Sequence, residues 1–304
     1  MKVGMIGLGK MGANMTVRLV QAGHSVVGYA RTPATVQSLV AQGALGASSL
    51  ADLVRQLPTP RVVWLMVPSG APVDDTLTTL KGLLSPGDLV VDGGNSYYRD
   101  TLRRAALVKS WGFRYMDVGT SGGIWGLQEG YSMMVGGDAE DVALVRPALE
   151  SLAPAADKGW GHVGPVGAGH FVKMVHNGIE YGLMEAYAEG FAVMKAKPDF
   201  PIDLHQVAQI WRYGSVVRSW LLELTEEALL ENPKLDGILP WVVDSGEGRW
   251  TVIEGLDLNV PTPVISLSLE ARIRSREEDP FAERLLAMMR NKFGGHAVKK
   301  EGAP

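Results

Sequence analysis

Lys2-Val3-Gly4-Met5-Ile6-Gly7-Leu8-Gly9-Lys10-Met11-Gly12 opens the chain and carries the strand, turn and helix start from which the fold follows. Lys2 to Ile6 is short and apolar, as a buried strand should be. The glycines follow in the G-x-G-x-x-G pattern, then a helical pattern through Val20, and His24-Ser25-Val26-Val27-Gly28-Tyr29 supplies a second strand. In that context Gly7 permits the tight turn, Gly9 lets the backbone approach a pyrophosphate, and Gly12 lets the helix pack on the strand. Leu8, Lys10 and Met11 fill the rest of the turn, whose helix N-terminus offers N–H groups to phosphates. A glycine-rich turn lacking the flanking strands would carry far less weight.

Further along, Val62-Val63-Trp64-Leu65-Met66-Val67 and Leu89-Val90-Val91-Asp92 read as strands, and Tyr131 to Val135 as another. Helical segments separate them, which is the β-α-β rhythm of a parallel, doubly wound sheet. From Val166 the period becomes helical. An opening helix is followed by Leu204 to Tyr213, Ser219 to Leu230 and Pro280 to Lys292, the last announced by Asp279-Pro280 as N-cap and first helical residue. The expected architecture is an α/β dinucleotide-binding, Rossmann-like domain over 1–165 and an all-α domain over 166–304. The boundary falls in the glycine-rich stretch Gly161 to Gly167. Phe293 to Lys300 reads as an extended arm.

The bulk numbers fit a soluble enzyme. The chain has 304 residues, 46% hydrophobic and 20% charged, with a net charge of -4. That balance argues against nucleic acid as partner, so an anionic ligand needs a local cluster of cations. No cysteine is present, which excludes thiol nucleophiles and thiolate metal sites. No apolar run is long enough to span a bilayer, and the N-terminus breaks into glycines too early for a signal peptide. A cytoplasmic location is expected.

The second strand ends Tyr29-Ala30-Arg31-Thr32-Pro33. An NAD-selective site usually has an acidic residue there for the ribose 2′-hydroxyl. Arg31 and Thr32 instead suit a 2′-phosphate, so NADP is expected over NAD, with NAD possible. Val67 and Asn95, at the ends of later strands, complete the expected cofactor contacts.

Val166-Gly167-Ala168-Gly169-His170-Phe171-Val172-Lys173-Met174-Val175-His176-Asn177-Gly178-Ile179-Glu180-Tyr181-Gly182 points to the chemistry. As a helix it puts Lys173, His176, Asn177, Glu180 and Tyr181 on one face, where an apolar stripe is usual. Phe171, Val172, Met174, Val175 and Ile179 on the other faces imply burial all round. A buried polar stripe needs partners, from the protein or from a ligand. Lys173 and Glu180 stand about 10 Å apart along the axis and can address two ends of a small substrate. A lysine acts as a base only when neutral, which calls for desolvation or a nearby cation. Asp92-Gly93-Gly94-Asn95-Ser96 ends a strand at the carboxyl edge of the sheet, where such folds bind ligands. Ser121-Gly122-Gly123 offers a hydroxyl and approachable N–H groups. Taken singly, Asn95 could cap a helix and Ser121 to Gly123 could be a plain turn.

These residues resemble the decarboxylating 6-phosphogluconate dehydrogenases, in their short form, within the β-hydroxyacid dehydrogenase superfamily. The resemblance spans essentially the whole chain, including Ile210 to Trp220, Gly248-Arg249-Trp250-Thr251 and Phe293-Gly294-Gly295-His296. Its specific part is the Lys-x-x-His-Asn-x-x-Glu-Tyr block, since the wider superfamily lacks the Glu-Tyr pair. The resemblance implies oxidative decarboxylation of 6-phosphogluconate to ribulose 5-phosphate and CO2 in the pentose phosphate pathway, without a metal. It implies Lys173 as general base and Glu180 as the acid that protonates C1. Asn95, Ser121, Gly122, Gly123, His176 and Asn177 would hold the carboxylate and hydroxyls, and Tyr181 and Arg272 the 6-phosphate. Arg290 and His296 would lie in a tail reaching the partner's site in a homodimer or homotetramer.

One departure stands out. Ser245-Gly246-Glu247 occupies the place where long-form members carry a lysine and a threonine for the phosphate. A glutamate there would repel a dianion, so either this loop points away or the clamp differs. Two other readings compete: a non-decarboxylating β-hydroxyacid dehydrogenase, which leaves Glu180 and Tyr181 without a task, and an inactive NADP-binding protein, for which Lys173 would be idle.

Overall fold

The structure is a computed structural model and describes residues 1–299; the tail beyond Lys299 lies outside the described residues. The chain divides by its contacts into two compact units, residues 1–179 and 180–304.

The first unit is a twisted sheet covered by helices. Its elements run β1 (Lys2–Ile6), α1 (Lys10–Gln21), β2 (Ser25–Tyr29), α2 (Pro33–Val40), β3 (Leu45–Gly46), α3 (Leu50–Arg55), β4 (Val62–Leu65) and α4 (Ala71–Lys81). They continue through β5 (Leu89–Asp92), α5 (Tyr98–Ser110), β6 (Arg114–Ser121), a short 3-10 turn (Gly123–Trp125), α6 (Gly126–Glu129), β7 (Ser132–Gly136), α7 (Ala139–Leu152) and β8 (Trp160–Gly164). The eight strands lie in the order β3-β2-β1-β4-β5-β6-β7-β8. All neighbours are parallel except β6 and β7. The order reverses between β1 and β4, which opens a crevice at their carboxyl ends. Alternation along each strand builds two cores. Val3, Met5, Val26, Trp64 and Val91 pack on one face of the sheet, and Ile6, Val27, Val63, Leu65 and Val90 on the other.

Strands β1, β2, β4 and β5 fall where the apolar runs put them, although Met66 and Val67 lie just past the end of β4. Three strands were not anticipated. The strand β3 is a two-residue edge. The strand β6 carries Asp117 and Thr120, polar yet buried. The strand β8 (Trp160–Gly164) runs into the glycine-rich stretch Gly161 to Gly167, read from sequence as the domain boundary.

Helix α8 (Ala168–Ala196) follows, and the division between the units falls within it. The second unit continues with α9 (Leu204–Trp211), α10 (Trp220–Glu231), α11 (Glu247–Asp257), α12 (Pro263–Arg274) and α13 (Phe281–Gly294). Phe191, Ala208, Leu222 and Leu229 form its small core. Ser219 caps α10, accepting the Leu222 N–H at 3.1 Å. Pro280, not Asp279, is the N-cap of α13. Helix α13 also takes in Phe293 and Gly294, so the expected arm begins only at Gly295, and the Asn291 amide folds it back by donating to the His296 carbonyl at 2.9 Å. Helix α11 was not anticipated, and α12 only as a solvated helix face at Arg274. One further expectation fails: Val172 and Ile179 on α8 are exposed in the single chain, so the helix is not buried all round.

Candidate functional site

The crevice between β1 and β4 is a cleft of about 810 Å³ lined by Gly7, Leu8, Gly9, Lys10, Met11, Gly12, Arg31, Thr32, Val67 and Asn95. Every residue expected at the cofactor therefore lies on it. The glycine turn shows why the sequence is constrained here. A Cβ on Gly12 would stand 2.0 Å from the Gly7 carbonyl oxygen, so only glycine lets α1 start so close to β1. Gly9, by contrast, has open space around it, and as N-cap of α1 it brings no side-chain cap. The first turn of α1 holds no acidic residue, which suits an anion at its positive end. Met66, Pro68, Pro72, Asp75 and Thr76 also line the cleft and were not foreseen. For Met66 and Pro68 the signal was available, because they directly follow a strand that ends at this edge; Pro72, Asp75 and Thr76 lie on α4.

The polar stripe of α8 begins in the first unit. Lys173 is only 5% exposed. Its Nζ donates to Asn177 Oδ1 at 2.7 Å and stands 3.3 Å from His176 Nδ1. His176 Nδ1 is 3.1 Å from Asn177 Oδ1, and its Nε2 is 3.5 Å from Ser121 Oγ at the end of β6. The amine, the imidazole, the amide and the Ser121 hydroxyl thus converge. Gly122 and Gly123, both at positive φ, carry the chain away from Ser121.

Asp117 on β6 anchors this helix. Its carboxylate accepts the Gly167 N–H at 2.5 Å and the His170 N–H at 2.7 Å, satisfying donors that the start of a helix leaves open. Burial pushes its pKa above the ordinary aspartate range, against the pull of His170 and the two N–H groups. The His170 Nδ1 meets Thr101 Oγ1 on α5 at 2.7 Å. Close approach is secured by Gly119 of β6, where a Cβ would lie 2.4 Å from Lys173 Cβ and 2.6 Å from the Gly169 carbonyl oxygen. Sequence reading passed over Gly119 and weighed Asp117 only as an ion-pair partner for Lys173.

In the second unit Glu180 and Tyr181 continue the stripe along α8. Tyr181 is buried, and the Arg272 guanidinium of α12 stacks 3.4 Å above its ring centre. Arg272 also donates to the Val243 carbonyl at 3.0 Å. The Tyr181 hydroxyl lies 3.3 Å from Ser245 Oγ and accepts the Ser245 N–H at 3.3 Å. Ser245 Oγ in turn donates to Glu247 Oε2 at 2.5 Å. The unexpected glutamate is thus taken up by Ser245 at the start of α11. Arg249 is forked onto Asp244 at 2.9 and 2.6 Å. Arg290 sits on α13 and His296 just beyond it, and no helix residue there is buried. Arg274, paired with Glu283 at 3.3 Å, is 77% exposed, as a solvated helix face requires.

Comparison with known proteins agrees with this geometry. Residues 2–164 match the NAD-binding domain of 6-phosphogluconate dehydrogenase, and residues 169–301 match its C-terminal domain. The Bacillus subtilis protein YqeC, provisionally named a 6-phosphogluconate dehydrogenase, is 46% identical over 99% of this chain and all of its own length. An NAD-dependent, decarboxylating 6-phosphogluconate dehydrogenase of Haloferax volcanii is 44% identical over 99% of both chains. The solved structure of the Plasmodium falciparum 6-phosphogluconate dehydrogenase, studied with NADP and with 6-phosphogluconate, superposes with a TM-score of 0.84 at 29% identity. It covers all of this chain and 67% of its own. No helix among the described residues is long and apolar enough to cross a membrane. The chain belongs to the 6-phosphogluconate dehydrogenase family.

Proposed function

We propose that this chain oxidises and decarboxylates 6-phosphogluconate to ribulose 5-phosphate and CO2, preferring NADP. The observation that carries the reading is the buried Lys173 amine, bonded to Asn177 beside His176 and Ser121. When bound, the dinucleotide supplies the acceptor for the hydride leaving C3. Lys173 takes the proton from the C3 hydroxyl. The resulting 3-keto acid loses CO2 because its own carbonyl receives the electron pair. Protonated Lys173 then holds the developing enolate oxygen, and Glu180 delivers a proton to C1. Asn95, Ser121, Gly122, Gly123, His176 and Asn177 bind the carboxylate and hydroxyls. Tyr181 and Arg272 take the phosphate, and arginine suits it by its planar fork. No metal is required.

NADP preference rests on Arg31 and Thr32 at the rim of the cleft, not on kinship, since a relative at 44% identity is named for NAD. The reading keeps the enzyme in the cytoplasm, because a phosphorylated sugar acid does not cross a bilayer unaided. It also includes a homodimer or homotetramer, with Arg290 and His296 completing a partner's site. Helix α13 supports this: it buries nothing, yet exposes Phe281, Leu285, Leu286, Met288, Met289 and Phe293. An apolar cleft of about 510 Å³ in the second unit, lined by Phe191 and Leu221 among others, adds to the surface in need of cover.

The test is absorbance at 340 nm with 6-phosphogluconate and either dinucleotide, with CO2 trapped and counted. Reduced cofactor and CO2 in equal amounts are expected. Reduction without CO2 would favour a non-decarboxylating β-hydroxyacid dehydrogenase, and no turnover would reject the substrate.

A further inference from the structure

Helix α5 buries Thr101, Arg104 and Val108 along one face. Arg104 sits where an apolar residue is usual, and its side chain is fully buried. Its donors are spent on two different loops. Nε and Nη2 fork onto the Asp74 carboxylate at 3.0 Å each, and Nη2 also reaches the Gly70 carbonyl at 3.0 Å. Nη1 donates to Ser96 Oγ at 3.3 Å and lies 4.0 Å from Asp92 Oδ2. Gly70 and Asp74 belong to the loop after β4 and the start of α4, whose Val67, Pro68 and Pro72 line the dinucleotide cleft. Ser96 and Asp92 flank the loop after β5, which brings Gly94 and Asn95 to the same cleft.

The second loop is itself tied down. Asp92 accepts the Ser96 hydroxyl at 2.8 Å, the Tyr115 hydroxyl at 3.1 Å and the Gly94 N–H at 3.3 Å. Arg104 is therefore the link between a braced substrate-side loop and the cofactor-side loop. Filling this position with a leucine would cost a core less than burying a guanidinium. The charge is explained by the two loops that it joins.

We propose that Arg104 is a positioning residue that fixes the spacing of these two loops, so that Asn95 is placed for its ligands only while the strap is intact. For the sugar-acid half of the claim this rests on the functional reading above; for the dinucleotide half it does not.

The experiment is a double-mutant cycle between Arg104→Lys and Asn95→Ala. Lysine keeps the charge but cannot fork. Two readouts are taken: the NADPH dissociation constant by fluorescence titration, and kcat/KM for 6-phosphogluconate. Arg104→Lys should weaken NADPH about tenfold, and Asn95→Ala should then cost about tenfold less than in the wild type, a coupling within the range of linked networks. A merely structural arginine would lower Tm while leaving the Asn95→Ala factor the same in both backgrounds, and that result overturns the proposal. Should Arg104→Lys fail to fold, Asp74→Asn cuts the fork from its half-exposed end, and additivity in that cycle overturns the proposal equally. A wild type inert with 6-phosphogluconate rejects the functional reading but leaves the NADPH cycle readable. A wild type that binds no NADPH rejects both.

Discussion

Replacing Gly119 by alanine should damage catalysis without removing any side chain that meets substrate. The added Cβ would stand 2.4 Å from Lys173 Cβ, where ordinary contact begins at 3.4 Å. A second obstacle, the Gly169 carbonyl oxygen at 2.6 Å, belongs to the backbone and cannot turn aside. Relief therefore requires β6 and the start of α8 to part by about 1 Å, an overpacking that costs about 1–3 kcal/mol of stability. The same shift carries the Lys173 amine with it, and a misplacement of about 1 Å in a reacting group is worth about 10²-fold in rate. Gly119 does not line the dinucleotide cleft, so cofactor affinity should hold. The expected result is a kcat lowered about 100-fold, an NADPH dissociation constant within about twofold of wild type, and a Tm lowered by several degrees. Steady-state assays at 340 nm, calorimetric titration and a thermal melt measure the three. A variant with near-normal kcat would refute the claim that the seating of α8 on β6 sets the position of Lys173.

Outcomes are expected for four other variants. Asp117→Asn leaves an amide N–H₂ facing one of the two backbone donors, so it should cost about 1–3 kcal/mol in denaturant melts. Because burial raises the Asp117 pKa, its stabilising proton is held below the ordinary aspartate value and lost as pH rises through the raised one; stability–pH curves of the variant should lack that step, and an unaltered curve would show that Asp117 is not its source. Arg31→Asp should lower kcat/KM with NADP about 10–100-fold, the worth of a charge-assisted bond, and leave NAD little changed; equal losses with both would remove Arg31 from the 2′-phosphate. Arg272→Ala should raise KM for 6-phosphogluconate about tenfold or more with a much smaller effect on kcat, and an unchanged KM would take the phosphate away from it. Truncation before Phe293 should abolish turnover while sparing NADPH binding; full activity in the shortened chain would end the case for a contributing tail.

How far the fold was legible depends on what each segment has to satisfy. Strands β1, β2, β4 and β5 serve the sheet along most of their length, so they read as apolar runs, and the Gly7 to Gly12 turn reads clearly because backbone sterics leave it few alternatives. Strand β6 serves the sheet and the site together. Its Asp117 caps α8 and its Gly119 admits Lys173, and these two residues break the apolar pattern by which a buried strand is recognised. Helix α11 was hidden in the same way, because Glu247, Thr251 and Glu254 are buried on it. The candidate site residues stood out where one helix collects them, as α8 collects Lys173, His176 and Asn177. They were not legible where partners come from distant segments, as Asp74 and Ser96 come to Arg104.

One rule covers both α8 and α5: a polar side chain at the buried position of a helix signals a demand that the local sequence does not meet. On α8 that demand is met by neighbours on the helix itself and by Ser121, and the resulting cluster is suited to meet a ligand. On α5, Thr101 and Arg104 occupy the buried stripe with Val108, and their partners His170, Asp74, Gly70 and Ser96 belong to the start of α8 and to the two loops that reach the dinucleotide cleft. Spacing alone cannot separate the two cases, because both present the same i, i+3 polar pattern. What separates them is where the partners come from, the helix itself and Ser121 on α8 but the start of α8 and the loops after β4 and β5 on α5, and that is a property of the folded chain.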